Sequence, residues 1–153
     1  ISGGRGNTIA NNALGGIVVF ASSPTGIVIR GNAIYGNGAI GIDLAGNGPT
    51  PNDTGGNPDT DTGPNGLTNF PVVSNATQSG GNVSVDIVLQ STPQTTFTLD
   101  VYVGAPACDA RTWIGTTEVT TNADGYIDTG DLAREAGESV RDARWVAGLR
   151  AWF

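Results

Sequence analysis

Acidic and amide side chains are concentrated in one segment of the sequence, from Asn52 to Gly66. These fifteen residues hold three aspartates, three asparagines and four glycines, and none has an apolar side chain long enough to bury. Carboxylate and amide oxygens at alternating positions suit Ca²⁺, which takes about six to eight oxygen ligands. The candidate ligands are Asn52, Asp53, Asn57, Asp59, Asp61 and Asn65.

The segment does not have the spacing of an EF-hand loop. In NPDTDTG, which begins at Asn57, oxygen-bearing residues stand at positions one, three and five, but the glycine arrives one residue late. Thr68 also occupies the twelfth position, where an EF-hand needs a bidentate glutamate. Two interpretations stay open, a calcium site and a solvated linker between two domains.

Two further aspartates would face each other if the strands before and after Pro93 form a hairpin. In that register Asp86 and Asp100 lie on the outward face, with Tyr102 two residues along. Facing carboxylates about 5 Å apart repel each other unless a cation or a shared proton intervenes. The separation resembles the acid and nucleophile of a retaining glycosidase. The pair is therefore a catalytic candidate, a cation site or two solvated aspartates, and Asp43 is a third catalytic candidate.

Four aromatic residues are candidates for a carbohydrate platform, because the apolar face of a sugar ring packs on an aromatic ring. They are Tyr35, Tyr102, Trp113 and Tyr126. Packing within the core and at sheet edges is the alternative role for these side chains.

Composition excludes several classes of chemistry. The chain has no histidine and a single cysteine, Cys108, which excludes a Ser-His-Asp triad, a Cys-His dyad, His-ligated zinc and an intrachain disulfide. A formal net charge of −7 without any lysine argues against a nucleic-acid partner. No apolar run approaches the roughly 20 residues of a membrane span. The start at Ile1 leads us to expect a processed chain or an excised fragment.

The abundance of glycine, asparagine, threonine and valine predicts an all-β fold with frequent tight turns. Two segments near the start, 7–20 and 27–44, look like copies of each other. A repeat of about 20 to 25 residues built from short strands is typical of a solenoid. One alignment matches the pair Gly16-Ile17 with the pair Gly41-Ile42. A second alignment, in the residues before these pairs, matches Ile9 with Ile29.

The same alignment predicts which side chains share the interior of the solenoid and which form an amide ladder. Asn12 and Asn32 are expected to stack at a corner. The predicted inward residues are Ile9, Leu14, Ile17, Val19, Ile29, Ile34, Ile42 and Leu44. Two ordinary hairpins are the alternative. Because about three repeats are needed for a stable solenoid, the open end is expected to form a homo-oligomer or to dock the C-terminal tail.

The second half of the sequence alternates with the period of half-buried strands. Residues 83–89 and 97–103 predict an antiparallel pair, 114–121 predicts a third strand, and a fourth begins at Tyr126 after the turn NADG. A small β-sandwich from Val72 onward is therefore expected. The tail from Val140 to Phe153 fits a helix or a strand, and we favour a closing strand.

Several of these stretches resemble one known family. GNTIANN, IVIRGNAIYGNGAIGIDL and TPNDTGGNPDTDTGPNGLTNFPVV resemble the repeats and junction of large secreted bacterial proteins with right-handed parallel β-helix repeats and a C-terminal β-sandwich module. The likeness is close over residues 5–76 and looser to about Val140. Only ARTW separates Asp109 from Ile114, where the family has a longer loop, and the tail after Val140 departs from the family pattern.

The resemblance implies a short right-handed parallel β-helix fragment followed by a small antiparallel β-sandwich, in an extracellular or cell-surface protein. The implied divisions are parallel coils at 1–49, a junction loop at 50–71 and a sandwich-like domain at 72–153. The expected function is a non-catalytic structural or adhesive module, stabilised by calcium and in contact with polysaccharide. The alternative is a carboxylate-dependent polysaccharide hydrolase or lyase.

Overall fold

The computed structural model describes residues 6–20, 25–53, 55, 59–79, 82–104 and 110–135. This part of the chain is mostly β-structure, with one short 3-10 turn at Pro64–Leu67 and no α-helix. Its strands are β1 (Thr8–Ala10), β2 (Ile17–Val19), β3 (Ala33–Tyr35), β4 (Ile42–Leu44), β5 (Val72–Ser79), β6 (Asn82–Gln90), β7 (Thr96–Val103), β8 (Thr112–Thr120) and β9 (Tyr126–Glu135). None of the described elements is a helix of the length and apolarity that crossing a membrane requires.

The first four strands form two short parallel pairs, β1 with β3 and β2 with β4. Ile9 lies opposite Ile34, and Ile17 lies opposite Ile42, so the same 25-residue offset runs through both pairs. We call residues 6–20 the first layer and residues 31–45 the second layer. Runs of two or three apolar residues, bounded by Asn and Gly turns, explain why the strands are so short.

The Gly-Ile match between the two layers is confirmed, but the second alignment is wrong. Ile34 and not Ile29 is the strand partner of Ile9, and Asn12 does not stack on Asn32. The stacked asparagine pairs are Asn7 with Asn32 and Asn12 with Asn37. The amide ladder exists, shifted by five residues from the predicted one.

Most of the predicted inward residues are at least partly covered, and Leu14 is the exception. Val19, Ile34 and Ile42 are buried, whereas the Leu14 side chain is 78% exposed. Leu14 lies in the bend between β1 and β2, where the chain turns away from the strand direction. Its predicted inward position is therefore wrong.

Two antiparallel sheets, ordered β5-β6-β9 and β7-β8, share one hydrophobic cluster. Its buried members are Val85, Ile87, Leu89, Leu99, Val119 and Ile127. Val73, Phe97 and Val101 pack against them. The third and fourth predicted strands are confirmed as β8 and β9, and the NADG turn ends at Gly125 with a left-handed φ of 78°.

The predicted hairpin between β6 and β7 is wrong, because these strands belong to different sheets. The connection crosses from one sheet to the other and is held by the turn before β9. The backbone N–H of Ser91 donates to the carbonyl of Gly125, and the Thr121 hydroxyl donates to the carbonyl of Thr92. The predictions for Cys108 and for the tail from Val140 to Phe153 lie outside the described residues.

Candidate functional site

Asp100 is a buried carboxylate on the face of β7 turned away from the shared core. It is only 2% exposed, because the second layer covers this face. Arg30 donates to both carboxylate oxygens, from Nη2 at 2.7 Å and from Nε at 3.2 Å. The Thr116 hydroxyl donates at 2.6 Å and the backbone N–H of Gly31 at 3.2 Å. We call these four residues the joint.

The joint keeps Asp100 ionised. Burial by itself raises the pKa of this carboxyl, but hydrogen bonds from Arg30, Thr116 and Gly31, with the charge of Arg30, outweigh burial and hold the pKa below its usual value. The hydrogen bond to Asp100 raises the pKa of Arg30 in turn. Burial, followed by the Asp100 charge, raises the pKa of Tyr102. The group therefore holds one fixed negative and one fixed positive charge, with neither poised for proton transfer.

Two further contacts connect the second layer to Ala110 and Arg111, the two residues that directly precede β8. The backbones of Ile34 and Ala110 exchange two hydrogen bonds of 2.8 Å. The guanidinium carbon of Arg111 lies 4.2 Å from the centre of the Tyr35 ring, which is a cation–π distance. An ion pair, a backbone bridge and a cation–π contact thus join the parallel strands to the β7-β8 sheet.

The predicted facing pair of Asp86 and Asp100 is wrong. Asp86 lies on β6 opposite Asn75, whose side-chain amide donates to it at 3.1 Å. Asp100 lies on β7 opposite Thr116. Since β6 and β7 belong to different sheets, these two carboxylates do not occupy a shared strand pair.

Asp43 supports the turn that follows β4. Its two carboxylate oxygens accept the backbone N–H groups of Gly46 at 3.1 Å and Gly48 at 2.9 Å. Ala45, which precedes this turn, has a left-handed φ of 89°, a conformation that costs energy for a residue with a side chain. The Asp43 carboxylate offsets that cost by satisfying the turn's N–H donors.

The junction segment is organised by its own carboxylates. Asp53 accepts the backbone N–H groups of Asp59 and Thr60 at 2.9 to 3.3 Å. Partial burial raises the pKa of Asp53, and these N–H groups more than offset it, so the pKa lies below the usual value. Asp59 accepts the hydroxyl of Ser91 and both the N–H and the hydroxyl of Thr92. The segment is thereby attached to the connection between β6 and β7.

Asparagine side chains bridge backbone groups on both sides of the same segment. Asn52 bonds both the N–H and the carbonyl of Phe70, and Asn65 bonds both groups of Ile27. An amide that donates and accepts in this way pairs like a strand backbone. These hydrogen bonds hold the segment in a defined conformation, although it has no apolar side chains that could anchor it in a core.

Asn69, which the sequence did not single out, is the most buried of these amides, at 1% exposure. Its oxygen accepts the N–H of Asp53, and its Nδ2 donates to the carbonyls of Asp53 and Gln90 at 2.8 Å. Its backbone N–H donates to Asp59. A buried asparagine of this kind has no local sequence signal, because its partners lie as far as 21 residues away.

The remaining predicted ligands are not brought together in the described residues. Asp61 is exposed, and Asn57 lies outside the part of the chain that the structure describes. Among the described residues there is no group of three or more acidic, cysteine or histidine side chains that could hold a metal ion. Calcium binding stays a prediction, and an ion here would compete with the N–H donors of Asp53.

The four aromatic candidates occupy different environments. Tyr102 is buried and lies opposite the half-buried Trp113 on β8. Arg111 covers one face of the Tyr35 ring. Tyr126 is 46% exposed and begins β9, in the other antiparallel sheet. Tyr126 is thus the most exposed of the four rings, and Tyr102 is enclosed.

Comparison of the chain with protein-family models gave no match. Comparisons with curated proteins and with solved structures also gave no match.

Proposed function

We propose that this chain is a non-catalytic extracellular structural or adhesive module. In this proposal the two layers are coils of a right-handed parallel β-helix, and the antiparallel sheets form a β-sandwich to which the coils are firmly joined. The close resemblance of residues 5–76 to secreted β-helix proteins supports the location and the fold. Polysaccharide on the surface and calcium at the junction are the ligands that the proposal includes. Calcium adds little stability in this proposal, because Asp53 and Asp59 already accept N–H and O–H donors.

The ion pair between the partly exposed Arg30 and the buried Asp100 is the observation that carries the proposal. In this pair the buried carboxylate of Asp100 serves as a contact between the layers and the β7-β8 sheet. A hydrolase of the expected kind needs a carboxylic acid whose pKa is raised, whereas the pKa of Asp100 is lowered. Asp43 and Asp53 likewise accept backbone N–H groups. This use of carboxylates favours a rigid module over a polysaccharide hydrolase or lyase.

A panel of polysaccharides tests the proposal. The purified chain is incubated with each polymer, and reducing-end release is compared with co-sedimentation of the protein on insoluble polymer. We expect no release on any polymer, with or without co-sedimentation. Release that disappears in Asp43→Asn or Asp86→Asn, while Asp124→Asn retains it, would overturn the proposal in favour of the hydrolase.

A further inference from the structure

Three asparagines of the chain are directly followed by glycine: Asn37, Asn47 and Asn65. The backbone nitrogen of the next residue can attack the side-chain carbonyl carbon of an asparagine and close a five-membered imide, a reaction favoured because both groups belong to the same chain. Glycine favours the attack further, since it has no side chain to hinder the approach of its nitrogen. All three pairs lie in the part of the chain that the structure describes, so the structure shows which contacts restrain each of them.

Asn37 is held between the two layers. Its Oδ1 accepts the backbone N–H of Asn12 at 3.1 Å and the Nδ2 of Asn12 at 2.8 Å, and its own Nδ2 donates to the carbonyl of Ile9 at 3.1 Å. The attacking nitrogen would be that of Gly38, which donates to the carbonyl of Asn12 at 2.9 Å. Three side-chain bonds and one backbone bond, four in all, must therefore open before an imide can form at Asn37.

Asn65 is held by a residue that precedes the second layer. Its Oδ1 accepts the N–H of Ile27 at 3.0 Å, and its Nδ2 donates to the carbonyl of Ile27 at 2.8 Å. The Gly66 nitrogen, which would attack, donates to the carbonyl of Gly63 at 3.0 Å. Two side-chain bonds and one backbone bond, three in all, therefore restrain this pair.

Asn47 differs from both, because its side chain is exposed and makes no hydrogen bond to any residue that the structure describes. The amide that must leave and the carbon that is attacked can therefore rotate without breaking a contact. Gly48 donates its backbone N–H to Asp43 at 2.9 Å, and within the described residues this is the one bond that must open. A Cβ on Gly48 would meet nothing within 4 Å, so the attacking nitrogen lies beside open space.

The number of hydrogen bonds predicts the order of the three reaction rates. Each intramolecular hydrogen bond lowers the population of the locally opened state by about fivefold. Asn65 has two bonds more than Asn47, and Asn37 has three more. Imide formation should then be slower than at Asn47 by about 20-fold at Asn65 and by about 100-fold at Asn37.

We propose that Asn47 is a site of spontaneous deamidation in the folded chain, ahead of Asn37 and Asn65. The Gly48 nitrogen loses its proton to hydroxide and bonds to Cγ of Asn47, while the Cγ–Nδ2 bond breaks and the amide nitrogen takes a proton from water and leaves as ammonia. Water then opens the imide at one of its two carbonyls. Opening at the side-chain carbonyl gives aspartate, and opening at the main-chain carbonyl gives isoaspartate. Deamidation at Asn47 is independent of the proposed function.

Either product would disturb the turn that Asp43 supports. Asp43 accepts the N–H groups of Gly46 and Gly48, the residues on either side of position 47. A carboxylate at this position adds a second negative charge to the turn, and isoaspartate also lengthens the backbone between the two N–H groups. Phe20 lies against the same turn, since a Cβ on Gly46 would overlap its ring. The modification would therefore loosen the end of the second layer.

Incubation of the full chain in mildly alkaline buffer tests the proposal. Samples taken over several weeks are digested and read by tandem mass spectrometry, which locates the mass gain at each asparagine. In the folded chain we expect Asn47 to convert about 20-fold faster than Asn65 and about 100-fold faster than Asn37. In urea, where the hydrogen bonds are absent, the three rates should agree within about threefold. Conversion of Asn37 or Asn65 in the folded chain as fast as that of Asn47 would overturn the proposal.

Two variants provide matched controls. Asn47→Gln, in which the imide would need a six-membered ring, should remove most of the acidic species that isoelectric focusing detects over the same period. Asn12→Ala removes the Nδ2 contact to Asn37 and should raise the rate at Asn37 by about fivefold, with the rate at Asn47 unchanged. The proposal fails if Asn47→Gln accumulates acidic species as fast as the parent chain. It also fails if Asn12→Ala leaves the rate at Asn37 unchanged, because hydrogen bonds would then not set the order of the sites.

Discussion

Arg30 and Asp100 lie 70 residues apart in the sequence and form a bidentate ion pair, with nitrogen-to-oxygen distances of 2.7 and 3.2 Å. The carboxylate side of the pair is buried, while the Arg30 side chain is 36% exposed. The pair joins a residue just before the second layer to the outer face of β7. Two parts of the chain with different strand arrangements are thereby held in one orientation.

Loss of the Asp100 charge should destabilise the fold. Removing one partner of a fully buried pair costs about 3–5 kcal/mol. Because Arg30 is partly solvated and can turn to water, we expect Asp100→Asn to lower the free energy of unfolding by about 2–3 kcal/mol. Urea unfolding measures this change. The control Asp124→Asn, in an exposed turn, should change it by no more than about 0.5 kcal/mol, and a similarly small effect at Asp100 would contradict the assigned role.

Stability should fall at acid pH. The folded pKa values of Asp100 and Asp53 lie below the unfolded value of about 3.9, so the unfolded chain binds protons first as the pH drops. The contribution of both groups is complete above about pH 5 and is lost as the pH falls through the folded values. Urea midpoints between about pH 2.5 and 7 measure the slope. Asp100→Asn should reduce the slope of the urea midpoint against pH. An unchanged slope would show that Asp100 does not contribute to the loss of stability at acid pH.

Substitution of Asn69 should destabilise the fold as much as substitution of a residue in the hydrophobic core. Asn69→Ala removes three side-chain hydrogen bonds, which leaves the buried carbonyl of Gln90 and the half-buried backbone groups of Asp53 without these partners. We expect a loss of about 2–4 kcal/mol in the free energy of unfolding. Asn75→Ala, which removes one exposed contact to Asp86, serves as the matched control and should cost about 0.5 kcal/mol or less. Equal effects of the two substitutions would be evidence against the organising role of Asn69.

Calcium should contribute little to stability. The carboxylates of Asp53 and Asp59 already accept N–H and O–H donors, so an ion must displace these donors or share their oxygens. We expect EDTA to lower the Tm by less than about 2 °C, which is about 1 kcal/mol or less for a chain of this size. A larger fall that calcium but not magnesium reverses, and that Asp59→Asn abolishes, would show that an ion organises the junction.

The antiparallel part of the fold could be predicted because its signals are local. Alternation around Ile87 and Leu99 and the turn at Gly125 mark strands without reference to distant residues. The order of the strands within the sheets could not be obtained in this way. The connection through Pro93 has the length of a hairpin loop, and only its contacts with the turn before β9 show that it crosses between sheets.

The offset of the two layers was ambiguous in the sequence, since asparagines recur at more than one spacing. Asn32 is preceded by Asn12 at one spacing and by Asn7 at another, and both alignments place apolar residues opposite each other. The close approach of Gly6 to Gly31 and of Gly16 to Gly41 decides between them. In the sequence these glycines do not discriminate, since Gly6 and Gly16 also meet Gly26 and Gly36 at the other spacing. Matching both asparagines would have favoured the 25-residue offset, because only that offset pairs Asn7 as well as Asn12 with an asparagine.

The joint had no sequence signal. On β7 the residues that alternate with Leu99 and Val101 are Asp100 and Tyr102, which a two-residue period assigns to solvent. That assignment fails because the second layer covers this face of the sheet. A carboxylate that is exposed in an isolated sheet thus becomes buried when a second structural element packs on it.

A double-mutant cycle on Arg30 and Asp100 tests the central claim most directly. The free energies of unfolding of the parent chain, Arg30→Met, Asp100→Asn and the double variant are measured in urea at pH 7. If this pair joins the parallel layers to the β7-β8 sheet, the coupling energy should be about 1–3 kcal/mol. Additivity of the two single effects within about 0.3 kcal/mol would contradict the joint and the rigid module built on it.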